Sequence, residues 1–347
     1  MTGSYYLRNQ WYIAAHSFEL VGSKPVTRTI CDQAVVIFRS EDGGVGVLSD
    51  RCPHRFAPLS SGEVNGSDIQ CGYHGIRFNR QGQCTHIPGG LAAPQSFKVK
   101  SFPALEKHGF VWMWTGEKEA DPSLIPDFHE NHDPAWAPVP GYLHIAANYQ
   151  LMVDNLLDLT HVVFVHKTTL AGGGVTDTPL QVRTEGDRVF AERIMLDVDT
   201  APIYRAARGL SGKIDRWQIF EALPPTYVKI TLGAREAGSD TPMREPVHMV
   251  LNGFTPESEN RSHYFWSTTR PWALGDKKVD DLYKTMIETA FNEDKVIVEG
   301  QQRLIDEDPD NSHFVNFPFD RAGQSARRIL RRLMQEEQPG ANLAAAE

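Results

Sequence analysis

At 347 residues the chain exceeds the usual size of a single hydrophobic core, so two domains are expected. Its 44 Asp and Glu against 35 Lys and Arg leave a net charge of -9, which argues against nucleic acid or an anionic membrane surface as partner. The first twenty residues lack a basic patch followed by an apolar run, and no apolar stretch approaches the roughly 20 residues that span a bilayer, so the expected location is the cytoplasm.

In chain order, short β-rich runs come first, at residues 34–39, 46–48, 97–99 and 110–114, separated by turn signals. This spacing predicts an antiparallel all-β domain over residues 1–117. Residues 118–140 read as a connector, because Pro122, Pro126, Pro134, Pro138 and Pro140 exclude a long helix or a central strand. Beyond it a helix is predicted over 149–165, strands over 217–234, 248–254 and 262–268, and a long helix over 279–305. Residues 141–347 therefore form an α+β domain. The segment 324–337 sets Ile329, Leu330, Leu333 and Met334 on one helical face and Arg327, Arg328, Arg331 and Arg332 largely on the other, the pattern of a solvated surface helix. Gly172 to Gly174 reads as a loop, and the small-residue tail 341–347 as a frayed end.

Four cysteines are too few to staple a chain of this size, and a reducing compartment would keep them as thiols. Cys31 and Cys84 read as ordinary thiols. Cys52-Pro53-His54 and Cys71-Gly72-Tyr73-His74 differ, since they give Cys-x-His, sixteen intervening residues, then Cys-x-x-His. Two thiolates and two imidazoles at that spacing can grip a [2Fe–2S] cluster from two loops, the cysteines on one iron and the histidines on the other. Imidazole ligands reduce the negative charge around such a cluster and raise its potential to roughly −150 to +300 mV. A structural zinc site usually pairs Cys with Cys and His with His, whereas each loop here offers one of each. Gly72 and Gly75 leave room for backbone amides to approach cluster sulfurs.

In the predicted helix 149–165, Asn155, Asp158 and His161 recur every three residues and form a polar stripe in an apolar segment. Such a stripe is costly to bury unless a metal or hydrogen bonds satisfy it. His166, five residues past His161, requires a π-type turn or a helix end between them. Two histidines and one carboxylate are the Fe(II) donor set of non-haem oxygenases. The pattern leaves the carboxylate open among Asp154, Asp158 and a distant residue. Asp294 is such a residue, because it continues the apolar face of Met286 and Ala290 and needs a counter-charge there.

These residues carry a resemblance. Cys52-Pro53-His54-Arg55 with Pro58-Leu59, Cys71-Gly72-Tyr73-His74-Gly75, and the opening Asn9-Gln10-Trp11-Tyr12-Ile13-Ala14-Ala15 resemble the Rieske non-haem iron oxygenases of the vanillate O-demethylase, toluenesulfonate methyl-monooxygenase and dicamba monooxygenase group. The resemblance covers nearly the whole chain. It implies a Rieske domain followed by a helix-grip-like catalytic domain with an antiparallel sheet, a [2Fe–2S] cluster on Cys52, His54, Cys71 and His74, and Fe(II) on His161, His166 and Asp294. Asp158 would link His161 to His74 of a neighbouring subunit in a homotrimer, and Asn155 would lie near the iron without being a strong ligand. Met152, Leu170, Lys229, Asn252 and Thr285 fall in segments that line the substrate pocket of the resembling enzymes. Asn252 and Thr285 stand where dicamba-type members carry a histidine and a tryptophan.

The implied activity is O2-dependent monooxygenation in aromatic catabolism, foremost the O-demethylation of a small methoxylated aromatic acid. Methyl hydroxylation or N-demethylation within the same family is the alternative, and a non-catalytic Rieske electron carrier is the alternative from another class. No glycine-rich dinucleotide fingerprint follows a strand and no plant-type run of four cysteines is present, so electrons must come from a separate NAD(P)H-dependent reductase or ferredoxin.

Overall fold

The structure, a computed structural model, describes residues 5–337, and the tail 341–347 lies outside them. The chain forms two compact units. One is Arg8–Asp127 with Thr255–Ser258, and the other is Phe128–Phe254 with the described parts of Met1–Leu7 and Glu259–Glu347.

The first unit carries β1 (Trp11–His16), β2 (Val26–Ile30), β3 (Gln33–Arg39), β4 (Val45–Ser49), β5 (Glu63–Asn65), β6 (Asp68–Gln70), β7 (Arg77–Phe78), β8 (Cys84–His86), β9 (Ser101–Phe102), β10 (Ala104–Lys107) and β11 (Phe110–Trp114). They form three small antiparallel sheets, ordered β1-β11-β10, β2-β3-β4-β9 and β5-β6-β7-β8. Every residue of β1 and β11 is buried, as expected of a strand covered on both faces. The expected strand at 97–99 is reduced to a single Lys98 bridge to Gln83, and the paired segment is β9. Val36, Phe38, Leu48, Leu59, Ile69 and Phe78 form one core, and Cys52 and Cys71 pack at its margin. Thr255 Oγ1 donates to the Ile13 carbonyl, and the Cys31 and Asp32 amides donate to the carbonyls of Pro256 and Glu257.

The second unit carries β12 (Ala137–Ile145), α1 (Tyr149–Leu157), α2 (Val162–Val165), β13 (Gln181–Glu185), β14 (Arg188–Asp199), α3 (Pro202–Arg208), β15 (Lys213–Leu223), β16 (Tyr227–Glu236), β17 (His248–Ser258), β18 (Arg261–Arg270), α4 (Lys277–Glu307) and α5 (Arg321–Glu336). Its seven-stranded sheet runs β12-β18-β17-β16-β15-β14-β13. Pro138 and Pro140 enter that sheet only because β12 is its edge. Gly141 and Gly233 stand opposite Trp266 and Trp217 in register, and a Cβ at either would lie about 2 Å from the indole ring.

α4 starts cleanly because the Asp276 carboxylate caps the amides of Lys278 and Val279. Its buried positions, Tyr283, Ile287, Ala290, Phe291, Asp294, Val298 and Gln302, recur every three or four residues, so Asp294 sits in an otherwise largely apolar stripe. In α5, Leu330 is buried and Arg332 pairs with Asp187 on the surface. Arg327 departs from the expected solvated face, since it reaches Asp154 at 2.5 Å and Gln150 at 3.1 Å on α1.

Among the described residues no helix is long and apolar enough to cross a membrane.

Candidate functional site

The two cysteine loops of the first unit fold alike. The Cys52 amide donates to the Ala57 carbonyl while the Phe56 amide returns to the Cys52 carbonyl. Cys71 repeats this with Ile76 and Gly75. The returning residue has a left-handed backbone in both, φ 58° at Phe56 and 69° at Gly75. Side by side, the loops bury both thiols and expose both imidazoles, whose ring centroids are 4.6 Å apart.

Burial pushes the Cys52 thiol up to about 11, opposed by the backbone N–H of His54 and reinforced by the adjacent Cys71. Amides aimed at the sulfur and two neighbouring thiols fit a [2Fe–2S] cluster. A Cβ on Gly72 would lie 2.6 Å from the Ser61 carbonyl, so glycine is required for the loops to meet. Cys31 is buried and Cys84 half-buried.

In the second unit the expected single helix over 149–165 is broken. Asp158 leaves helical geometry (φ -88°, ψ 93°), its amide closes α1 onto Asp154 and Asn155, and its Oδ1 accepts from the Thr160 amide at 2.8 Å. The chain restarts as the four-residue α2, with His161 at one end and His166 at the other. Their Nε2 atoms come within 3.2 Å of each other, and Asp294 Oδ1 from α4 lies 3.5 Å and 3.2 Å from them. Donors about 2.1 Å from one ion at right angles stand about 3 Å apart, so the three atoms fit one face of an octahedral Fe(II) site. Among the described residues this is the His, Cys, Asp and Glu group whose donor atoms converge within 4.8 Å.

The other ring nitrogens are also held. His166 Nδ1 lies 2.8 Å from Glu293 Oε2, and His161 Nδ1 contacts the Asp158 carbonyl. These partners favour the tautomers that present Nε2 to a metal. For His161 the partner within the chain is thus the Asp158 backbone oxygen rather than its carboxylate, because the break after α1 turns that carbonyl toward the ring.

Asn155 Nδ2 donates to Asp294 Oδ1 at 3.0 Å, while its Oδ1 is buried without a partner. For His166, burial works downward, but Asp294 and Glu293 outweigh it and the net shift is upward. An orphaned oxygen and a negative surrounding suit a cation.

The triad separates two hollows. One is a polar cleft of about 350 Å³ reached by Asn155, Asp158 and His161 and rimmed by Ile297, Phe314 and Val315. The other is an apolar cavity of about 50 Å³ touched by His161, His166 and Asp294. Sheet register builds the floor of this second hollow. Phe220, Ile230 and Val250 lie side by side across β15, β16 and β17, Gln218, Leu232 and His248 form the next row, and Arg216 opens a third. Leu156, Val162, Ile203, Tyr204, Ile287 and Phe291 make the apolar walls.

Of the predicted lining residues, Leu170 is in this cavity and the others are elsewhere. Met152 is buried in the core under α1. Lys229 lies on the opposite face of β16 from Ile230 and pairs with Glu130 at 2.6 Å. Asn252 is consumed within the sheet, donating to Val228 and accepting from the Tyr264 hydroxyl. Thr285 is on the exposed side of α4 and bonds back to the Asp281 carbonyl. The cavity histidine is His248, four residues before Asn252. Glu293, Arg216, Gln218 and His248 were missed from the sequence; for Glu293, its place beside Asp294 was the available signal.

Residues 10–103 match the Rieske [2Fe-2S] domain, and residues 145–336 match the vanillate O-demethylase oxygenase C-terminal domain. The vanillate O-demethylase oxygenase subunit of Pseudomonas sp. (strain HR199) is 35% identical, over 97% of this chain and 97% of the relative. The toluene-4-sulfonate monooxygenase system iron-sulfur subunit of Comamonas testosteroni is 33% identical, over 96% and 99%. The crystal structure of dicamba monooxygenase bound to 3,6-dichlorosalicylic acid superposes with a TM-score of 0.90 at 33% identity, covering 95% of this chain and 98% of that one.

Proposed function

Because the chain belongs to the Rieske non-haem iron oxygenases with a vanillate O-demethylase-type C-terminal domain, we propose that it is a terminal oxygenase that O-demethylates a small methoxylated aromatic acid. The observation that carries this reading is the placement of the His161, His166 and Asp294 donors in the wall of a largely apolar cavity. We read Cys52, His54, Cys71 and His74 as the cluster ligands and these three residues as the iron ligands.

When bound, the two centres supply single electrons and O2 activation. The chain's own groups prepare the site. Glu293 and the Asp158 carbonyl fix the two imidazoles, Asn155 holds the Asp294 carboxylate, and the cavity walls limit water beside a ring held against the triad.

The exposed face of the Asp158–His161 turn opens into the polar cleft. In a head-to-tail homotrimer that cleft would receive a neighbour's cluster loop, so that electrons cross from His74 of one chain through Asp158 to His161 of the next. An NAD(P)H-dependent reductase or a ferredoxin would supply them in the cytoplasm.

The test is turnover of methoxybenzoates with a reductase, NADH and O2, following formaldehyde. Release of formaldehyde in step with the hydroxylated ring supports O-demethylation. Hydroxylation of toluene-4-sulfonate alone moves the assignment to methyl hydroxylation, the chemistry suggested by the toluenesulfonate relative. Iron content separates an electron carrier, at two irons per chain, from an oxygenase, at about three.

A further inference from the structure

A buried cation in the cavity has no counter-charge. Arg216, on β15, is 3% exposed, and among the described residues no carboxylate lies within ion-pair distance of it. Its Nη2 donates to the Leu170 carbonyl at 3.2 Å and its guanidinium carbon lies 5.5 Å from the centre of the Tyr204 ring, but Nε and Nη1 are buried without hydrogen-bond partners. A guanidinium held this way is expensive unless an anion completes it.

The groups around it point the same way. Gln218, two residues on along the same strand face, is 2% exposed with an unpartnered Oε1, and His248 is fully buried with both ring nitrogens unpartnered. Burial, with Arg216 and Arg208 behind it, holds His248 down at about 3, so this imidazole is neutral and adds hydrogen bonding without charge. Polar groups that converge on a hollow and find no partner in the protein are the mark of a ligand site.

We propose that Arg216 is the specificity-determining residue of the cavity, receiving an oxyanion substituent, carboxylate or sulfonate, on a single aromatic ring. The inference rests on the reading of this cavity as the substrate site. It places the charged contact for the substituent on the sheet floor, where Arg216 starts the third row. The metal donors come instead from α4 and the ends of α2. A guanidinium meets either anion through paired N–H donors. Lys229, the basic residue among those expected in pocket-lining segments, cannot serve, because its ammonium is engaged by Glu130 outside the cavity.

Binding to the oxidised holoenzyme, without reductase, tests this by calorimetry with 3-methoxybenzoate, 3-methoxybenzenesulfonate and the neutral 3-methoxybenzamide. The wild type should bind at least one of the anions about tenfold or more tighter than the amide, and the tighter anion identifies the substituent. Arg216→Gln should weaken that anion by about tenfold to a hundredfold and leave the amide within about threefold. Lys229→Gln should keep the preference.

An Arg216→Gln enzyme that retains the anion preference, with its cluster spectrum intact, overturns the proposal. Should that variant fail to fold, the wild type alone decides, since equal affinity for all three probes overturns it too. Because turnover is not read, loss of the anion preference leaves O-demethylation standing, and absence of formaldehyde leaves the Arg216 assignment standing.

Discussion

Glu293 offers the sharpest measurement of how the protein prepares an iron ligand. His166 is 2% exposed and is held from both sides by consecutive residues of α4, Nε2 facing Asp294 and Nδ1 facing Glu293. Glu293→Ala removes the Nδ1 acceptor, so the ring can place its proton on Nε2, where no lone pair remains for a metal. Loss of such a partner lowers metal affinity by roughly 10- to 100-fold, or about 1.4–2.8 kcal/mol.

The Glu293 side chain is 31% exposed, so solvent screens part of its charge and the hydrogen bond carries most of the effect. Glu293→Gln, which keeps an acceptor oxygen, should therefore lose about tenfold or less. The assay is competition with a chelator, followed by iron analysis after desalting, with the cluster absorption as internal reference. A Glu293→Ala protein that holds its third iron as tightly as the wild type refutes the reasoning. So does a Gln variant weaker than the Ala variant.

Four further outcomes are expected. His161→Ala and Asp294→Ala should abolish turnover with the cluster spectrum unchanged; loss of that spectrum would mean the two ligand sets are not separate. His54→Ala should bleach the cluster, and co-expression with an Asp294→Ala chain should restore partial activity in verified mixed trimers, whereas mixed trimers as inactive as either parent would exclude transfer between subunits. Asp158→Asn should retain both metals and slow electron arrival in a single turnover, and an unchanged rate would confine Asp158 to ending α1. Gly233→Ala should destabilise the second unit by about 1–3 kcal/mol in chemical denaturation, because its Cβ would meet the Trp217 ring, and a wild-type midpoint would contradict that overlap.

Local chemistry was readable in sequence, and long-range assembly was not. The ligands within each cysteine loop, and His161 and His166, lie within a few residues of their own partners, so spacing alone exposes them. Asp294 is 128 residues beyond His166, and spacing admitted it only as one of several carboxylates. The helix break at Asp158 was obscured because the residues on both sides keep an apolar pattern. The cavity was the least accessible part. Alternation puts Arg216, Gln218 and Phe220 on one face of β15 but does not say which face is roofed by α4. The same parity sends Lys229 to the other side of the sheet from Ile230, which is why a residue in a suitable segment proved to be the ion-pair partner of Glu130 instead.

The tip of β17, Thr255–Ser258, bears on how such enzymes can be recombined. It belongs to the cluster-bearing unit, although the rest of β17 is rooted in the other unit's sheet. A chain cut after Asp127 would strip the Cys31 and Asp32 amides and the Ile13 carbonyl of the partners the tip provides. The electron-accepting module is therefore not a bead on a string. A functional graft between relatives must transplant four residues from deep within the recipient's catalytic half along with the N-terminal segment. Crossovers that respect both cuts should yield folded hybrids more often than those made at the linear boundary alone.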